Sequence, residues 1–272
     1  MERHQDLEAP GVLITALKEC SRGREVIVTI TDRIHSRWAL NLQHNLHLLG
    51  LPYALVIADS GPTCDAFRAR LPLMRAACCA HSSYMRSEPG LAAGLKAYNV
   101  HPNHVYHLWW QRWHYAAAGV AAGYHMLMLD ADISLRADPY PLLRTLSHSH
   151  ALVVGLDSET GGIGAFYNFP AVNVGLVYCS AGGGAAQWVM EEVGRRARHY
   201  LRNAPIRRTA AGGVEQMVLW EQDLFRDALE GAAFNSTRYR HSLRHGFVSG
   251  AAARRDARAH AQPWEWQTAR LA

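Results

Sequence analysis

Two carboxylates one residue apart, Asp130 and Asp132, close a short apolar run, Met126-Leu-Met-Leu129. Like charges that close repel and raise one another's pKa, so the pair calls for something positive beside it. A divalent cation is the usual partner, and hard Mn²⁺ or Mg²⁺ prefers carboxylate oxygens supplemented by the phosphates of a substrate. The competing use is structural: one solvated Asp at a strand end and one Asp that caps a helix. The apolar approach and the Asp138-Pro139 that follows favour the cation. A wholly apolar run reads as a strand buried on both faces of a parallel sheet, and such sheets open their ligand crevice at the carboxyl ends of the strands.

The elements that must position the pair can be read on either side of it. After a polar lead-in over residues 1–23, with one short helix near Val12–Cys20, Glu25 to Thr31 is a β-branched first strand. Asp32 can cap the helix that runs through Trp38 and Leu46 to Gly50, and Tyr53 to Ala58 is a second strand ending on Asp59. This βαβα opening argues for a parallel sheet wound in the Rossmann manner. No Gly-x-Gly-x-x-Gly follows the first strand, which argues against a dinucleotide cofactor. Leu71-Pro-Leu73 is the expected third strand, and His104 to Tyr124 is a helix that carries Arg112 and feeds the Asp130 strand. Beyond the pair, the pattern predicts a short helix from Pro139, a strand over Ala151–Leu156 and another over Ala171–Tyr178 that carries Asn173 and Gly175. Glycine inside a strand often marks close approach of a ligand or another backbone. A long amphipathic helix ends near Leu201, and a further helix is expected from Gly213 to about Leu229 with Glu215-Gln216 in its first turn. There is no internal repeat and no linker, so the reading is one domain over residues 24–250 followed by an Arg/Ala-rich tail over 251–272.

Composition narrows the partners. The net charge of +5 comes almost wholly from arginines, with Lys18 and Lys96 the only lysines. They are dispersed rather than gathered into a phosphate-binding face, which argues against nucleic acid. The odd number of cysteines (Cys20, Cys64, Cys78, Cys79, Cys179) shows no Cys-x-x-Cys spacing. Either Cys78 or Cys79 could pair with Cys64, yet neither a zinc site nor a disulfide framework is supported. No apolar stretch approaches the roughly 18 residues of a membrane helix, and Met-Glu-Arg-His-Gln-Asp is not a signal peptide. Asn235-Ser-Thr237 is a glycosylation sequon, a tripeptide that also occurs by chance.

Taken in order, these stretches resemble the nucleotide-diphospho-sugar transferases of the GT-A fold, the group that includes plant cell-wall xylosyl- and arabinosyltransferases. The resemblance covers about residues 25–250. It rests on Val26-Ile-Val-Thr-Ile-Thr31, Trp38-Ala-Leu-Asn41, Val56-Ile-Ala-Asp59, the stretch from Gly123 through Asp130-Ala-Asp132 to Asp138-Pro139, and Asn173-Val-Gly175. Glu215-Gln216 stands where the family has Asp-Gln. The resemblance implies an α/β fold with a mostly parallel sheet flanked by helices. It also implies Mn²⁺ or Mg²⁺ held by Asp130 and Asp132, with a third ligand, His245, from His245-Gly-Phe-Val-Ser-Gly250; His241 competes for that place. Thr31 and Asp59 would face the base and ribose, Arg112, Gly250 and Arg254 (or Arg255) the diphosphate, and Asn173, Gly175, Glu215 and Gln216 the sugar and acceptor. The partners implied are a nucleotide-diphospho-sugar, UDP-linked by family habit, and a glycan or glycoprotein acceptor, with retention of anomeric configuration. Such enzymes are typically Golgi-lumenal and membrane-anchored, so the sequence would be a fragment or the protein would sit elsewhere.

Two other readings remain beside this one. An apolar strand followed by Asp-x-Asp-x-Ser also resembles the first motif of haloacid-dehalogenase-type phosphatases, with Asp130 as nucleophile; against it, the motif falls mid-chain and no later acidic pair ends a strand. A degenerate GT-A domain that binds without transferring is the non-enzymatic reading.

Overall fold

In the computed structural model the described residues are 5–70, 78–84, 105–156, 172–182, 184–203, 207–208, 214–215 and 221–233. The first strand, β1 (Glu25–Thr31), is a β-branched run buried on both faces. Beside it lie β2 (Ala54–Ala58), fully buried, and β4 (His125–Leu129), both parallel to it. β3 (Cys78–His81) pairs parallel with β2. On the other flank β6 (Val172–Cys179) runs antiparallel to β4, and β5 (Leu152–Leu156) closes the sheet antiparallel to β6. The order is β3-β2-β1-β4-β6-β5, a mixed six-stranded sheet in which β6 alone is reversed. The α/β class and the single domain expected from the sequence are what the chain adopts.

Alternate residues of each central strand feed opposite cores, as the two-residue period of a strand dictates. Ile27, Leu127 and Leu129 pack with Leu42 and Leu46 of α2 (Ser36–Leu48) and with Tyr140 and Leu143 of α5 (Tyr140–Ser147). Val26, Val28, Met126 and Met128 face the other way, onto α4 (Val105–Ala121), α6 (Ala185–Asn203) and α7 (Glu221–Ala233). Each such side chain taken out of water contributes about 1.5–3 kcal/mol, so two filled faces fix the register of β1 and β4. The remaining described helices are α1 (Val12–Glu19) and α3 (Gly61–Ala69).

Several expectations shift. The lead-in is part of the domain: Leu7, Ala16, Leu17 and Cys20 are core residues, and Asp6 bridges His81 in parallel at the edge of β3. The amide of Leu7 donates to the His81 carbonyl at 2.9 Å, so the edge strand is capped. The third strand is Cys78–His81, a short run the sequence reading passed over, while 71–73 lies outside the described residues. The expected helix from Gly213 is corrected at Val214 and Glu215, which are strand. Val214 and Glu215 are β8, paired antiparallel with β7 (Arg207–Arg208), and the helix begins at Glu221. The disulfide expectation is corrected too. Cys64 of α3 and Cys79 of β3 are bonded, with Cα atoms 5.6 Å apart, because α3 packs directly on β3. Cys20 is disulfide-bonded as well, and Cys179 is a buried free thiol.

Candidate functional site

β4 stops at Leu129 and delivers Asp130 to the carboxyl end of the sheet. Because β6 is antiparallel, its beginning, not its end, lies there. Leu129 is opposite Leu176, and the Asp130 amide donates to the Gly175 carbonyl at 2.8 Å. Asn173, Val174 and Gly175 therefore sit beside Asp130, although more than 40 residues separate them in sequence. Asn173 turns its Oδ1 back to accept from the Gly175 amide at 2.8 Å. A Cβ on Gly175 would stand 2.8 Å from that oxygen, 3.1 Å from Asp130 Oδ2 and 3.2 Å from Ile133 Cδ1. Any side chain here would have to displace these neighbouring side chains, so it is crowding rather than backbone angle that favours glycine.

Arg112 reaches the same place from α4. Its Nη1 donates to the Val174 carbonyl at 2.7 Å and lies 3.4 Å from Glu221 Oε1, while Nη2 donates to Asp130 Oδ1. Arg112 is buried, as is Glu221, whereas the Asp130 side chain is 36% exposed and Asp132 is exposed. Glu221 opens α7, and the next residue, Gln222, accepts from the Val174 amide through Oε1 at 3.4 Å. Burial pushes the Glu221 carboxyl up to about 7, against the pull of Arg112, which also serves Asp130, and a weaker one from Trp113. The loop beyond Asp132 is tied to α2: Asn45 Nδ2 donates to the Leu135 carbonyl at 2.9 Å and Asn45 Oδ1 accepts from the Leu135 amide at 2.7 Å. Asp138 then accepts from the Tyr140 amide at 2.9 Å at the start of α5.

Thr31 and Asp59 end β1 and β2 at the same edge of the sheet; the Asp59 amide donates to the Thr31 carbonyl at 3.1 Å. Thr31 is buried, with Oγ1 donating to the Asp32 carbonyl at 3.2 Å, and Asp59 is half-buried, with Oδ1 accepting from Ser60 Oγ at 3.2 Å. So Thr31, Asp59, Asp130, Asp132, Asn173 and Gly175 share one end of the sheet. Arg112, expected at a diphosphate, is turned inward onto Asp130, Val174 and Glu221. Glu215 falls on the β7–β8 ribbon, and Gln216, His245, Gly250 and Arg254 lie outside the described residues, as do His241 and Arg255. The acid–amide pair that the fold brings to Asn173 is Glu221-Gln222, which the sequence reading missed. The same Glu-Gln dipeptide occurs twice, and the signal for the second was the run Leu224, Phe225, Ala228, whose spacing is that of a buried helix face.

The donor set suits a hard cation. Two carboxylates with open faces, to be completed by phosphate and water oxygens, are what Mn²⁺ or Mg²⁺ takes when it binds with a substrate. Among the described residues no group of three His, Cys, Asp or Glu side chains converges. Glycine at 175 keeps the space beside Asp130 Oδ2 open.

Three solved structures are similar to this chain over part of its length. The galactosyltransferase LgtC, solved with donor and acceptor sugar analogues, is 14% identical, matches 75% of this chain and 70% of that chain, and has a TM-score of 0.45. In fold, the chain is similar to glycosyltransferases. The bifunctional glycosyltransferase WbbM is 8% identical over 64% of this chain and only 36% of that chain, with a TM-score of 0.43. Mouse xyloside xylosyltransferase 1 is 8% identical over 76% and 82% of the two chains, at 0.39. No protein-family model and no curated protein matches the sequence. The likeness is one of fold, over part of each molecule; the chemistry has to be argued from the residues above.

Proposed function

We propose that the chain is a metal-dependent glycosyltransferase that moves a sugar from a nucleotide-diphosphate donor, UDP-linked, to a glycan or glycoprotein acceptor with retention of configuration. One observation carries the reading: Asp130, with the exposed Asp132 two residues on, stands beside Gly175 and shares Arg112 with the buried Glu221 at the carboxyl end of the sheet, next to the β1/β4 switch in strand order. That is where a doubly wound sheet binds a nucleotide.

Asp130 and Asp132 would hold Mn²⁺ or Mg²⁺, which when bound supplies positive charge to the diphosphate leaving group. Asp130 keeps one oxygen, Oδ1, on Arg112, and its other oxygen, Oδ2, lies beside Gly175. Thr31 and Asp59 border the base and ribose. Asn173 and Gln222 flank the donor sugar. Glu221 lies behind them with its carboxyl shielded from water, where it favours positive charge developing at the anomeric carbon. In the transfer itself the acceptor oxygen bonds to that carbon as the carbon–phosphate-oxygen bond breaks, and the acceptor's proton passes to the departing phosphate oxygen. The phosphatase reading is weaker, because an Asp130 paired with a buried guanidinium is a poor nucleophile. A Golgi or other oxidising lumen is the proposed location, since the buried Cys64–Cys79 disulfide persists where thiols are oxidised.

The test is calorimetric titration of UDP with and without Mn²⁺. Wild type should bind UDP only with the metal, and Asp130→Ala/Asp132→Ala should lose at least tenfold in affinity. Metal-independent binding, or none, would sink the proposal.

A further inference from the structure

Arg112 is one cation placed between two acids. On one side its Nη2 holds Asp130; on the other its Nη1 donates to the Val174 carbonyl at 2.7 Å and is 3.4 Å from Glu221. Glu221 does not face the crevice as Asp130 and Asp132 do: it is 5% exposed and sits at the head of α7. A carboxylate in that setting is expensive to bury, and a purely structural pairing of Arg112 with Asp130 would not need it. Its effect is electrostatic. A guanidinium given wholly to Asp130 would cancel the charge that a cation at Asp130 and Asp132 needs, whereas a guanidinium shared with Glu221 leaves part of that charge available. The carboxylates of Asp130, Asp132 and Glu221 together outnumber the single guanidinium that joins two of them.

We propose that Glu221 sets the strength of the Asp130–Asp132 cation site by sharing the charge of Arg112 with Asp130. This rests on the cation reading of the pair. It makes Glu221 a positioning residue for the metal: Glu221 acts through Arg112 and needs no contact with the ion. Removing its charge should weaken the metal even though none of the metal's own ligands is changed. Shortening it by one methylene should do the same to a smaller degree, because the carboxylate then draws less on Nη1.

The experiment is Mn²⁺ titration at saturating UDP, pH 8, on wild type, Glu221→Asp and Glu221→Gln, with thermal unfolding of each metal-free protein run alongside. UDP affinity at saturating Mn²⁺ is measured as a separate readout. Mn²⁺ affinity should fall in the order wild type, Glu221→Asp, Glu221→Gln, by roughly three- to tenfold at the end of the series, the size of one partly screened charge at this range. UDP affinity at saturating Mn²⁺ should change much less, which a residue needed only for packing would not produce. Either variant that folds and binds Mn²⁺ as tightly as wild type overturns the inference and leaves the proposed function intact. Absence of Mn²⁺-dependent UDP binding in wild type overturns both. If Glu221→Gln does not fold, the Glu221→Asp protein decides.

Discussion

Glu221 is a carboxyl group that folding takes out of water with only part of a guanidinium in return. Burial raises its pKa to about 7, above the ordinary carboxylate value of 4.5, so between those values the folded chain holds a proton that the unfolded chain has released. Stability from this group is therefore greatest below about pH 4.5 and is lost progressively as pH rises through 7. Thermal melts of wild type and Glu221→Gln from pH 5 to pH 8 should converge at the acid end and diverge at the alkaline end, with the variant the more stable there. Equal slopes for the two proteins would show that Glu221 does not titrate in the fold.

At the scale of elements, the site is the meeting of three that are distant in sequence: the end of β4, the reversed start of β6 and the first turn of α7. α7 is held in place from behind. Arg196 of α6, 1% exposed, donates to Asp227 of α7 at 2.6 Å and to Glu192 of its own helix at 2.9 Å. Asp227→Ala removes one side of this buried pair, which costs about 3 kcal/mol. The expected outcome is a urea midpoint lowered in proportion, together with weaker Mn²⁺-dependent UDP binding, because Glu221 and Gln222 ride on the same helix. A variant that loses stability but binds Mn²⁺ and UDP unchanged would show that α7 does not position the site. The stack of Trp113 on Phe225, with ring centroids 4.8 Å apart, ties α4 to α7 by a second route and orients the helix that carries Arg112.

The molecule as a whole is stapled on the flank away from β6. The Cys64–Cys79 disulfide joins residues 15 apart, and closing a loop of that length contributes about 3 kcal/mol by restricting the unfolded chain. Cys64→Ala/Cys79→Ala should shift the urea midpoint by that order while leaving Mn²⁺-dependent UDP binding within about twofold, since α3 and β3 lie beyond β2. A double variant as stable as wild type would show the bridge to be dispensable, and with it the argument for an oxidising lumen.

How much of this was legible beforehand follows from the range of the forces involved. β1, β2 and β4, the Asp-x-Asp at the end of β4, the helix before it and the Asn-x-Gly strand could all be read from the sequence, because burial on both faces forces a local apolar pattern and a strand end forces a change of residue type. Local pattern could not say that β6 runs against its neighbours, and so could not say that Asn173 and Gly175 begin where Asp130 ends. It gave no ground for choosing between Glu215-Gln216 and Glu221-Gln222, since both are an acid and an amide near a helical pattern. Tertiary packing chose: one pair stands at the start of the helix that Trp113 and Arg196 hold against the sheet, and Glu215 stands on a two-residue strand. It also decided that the positive charge beside Asp130 is Arg112. The sequence by itself determined which residues end the strands; the tertiary structure alone decided which of them face one another, because a contact between residues 18 and 91 positions from Asp130 is fixed by core packing and not by neighbours in the chain.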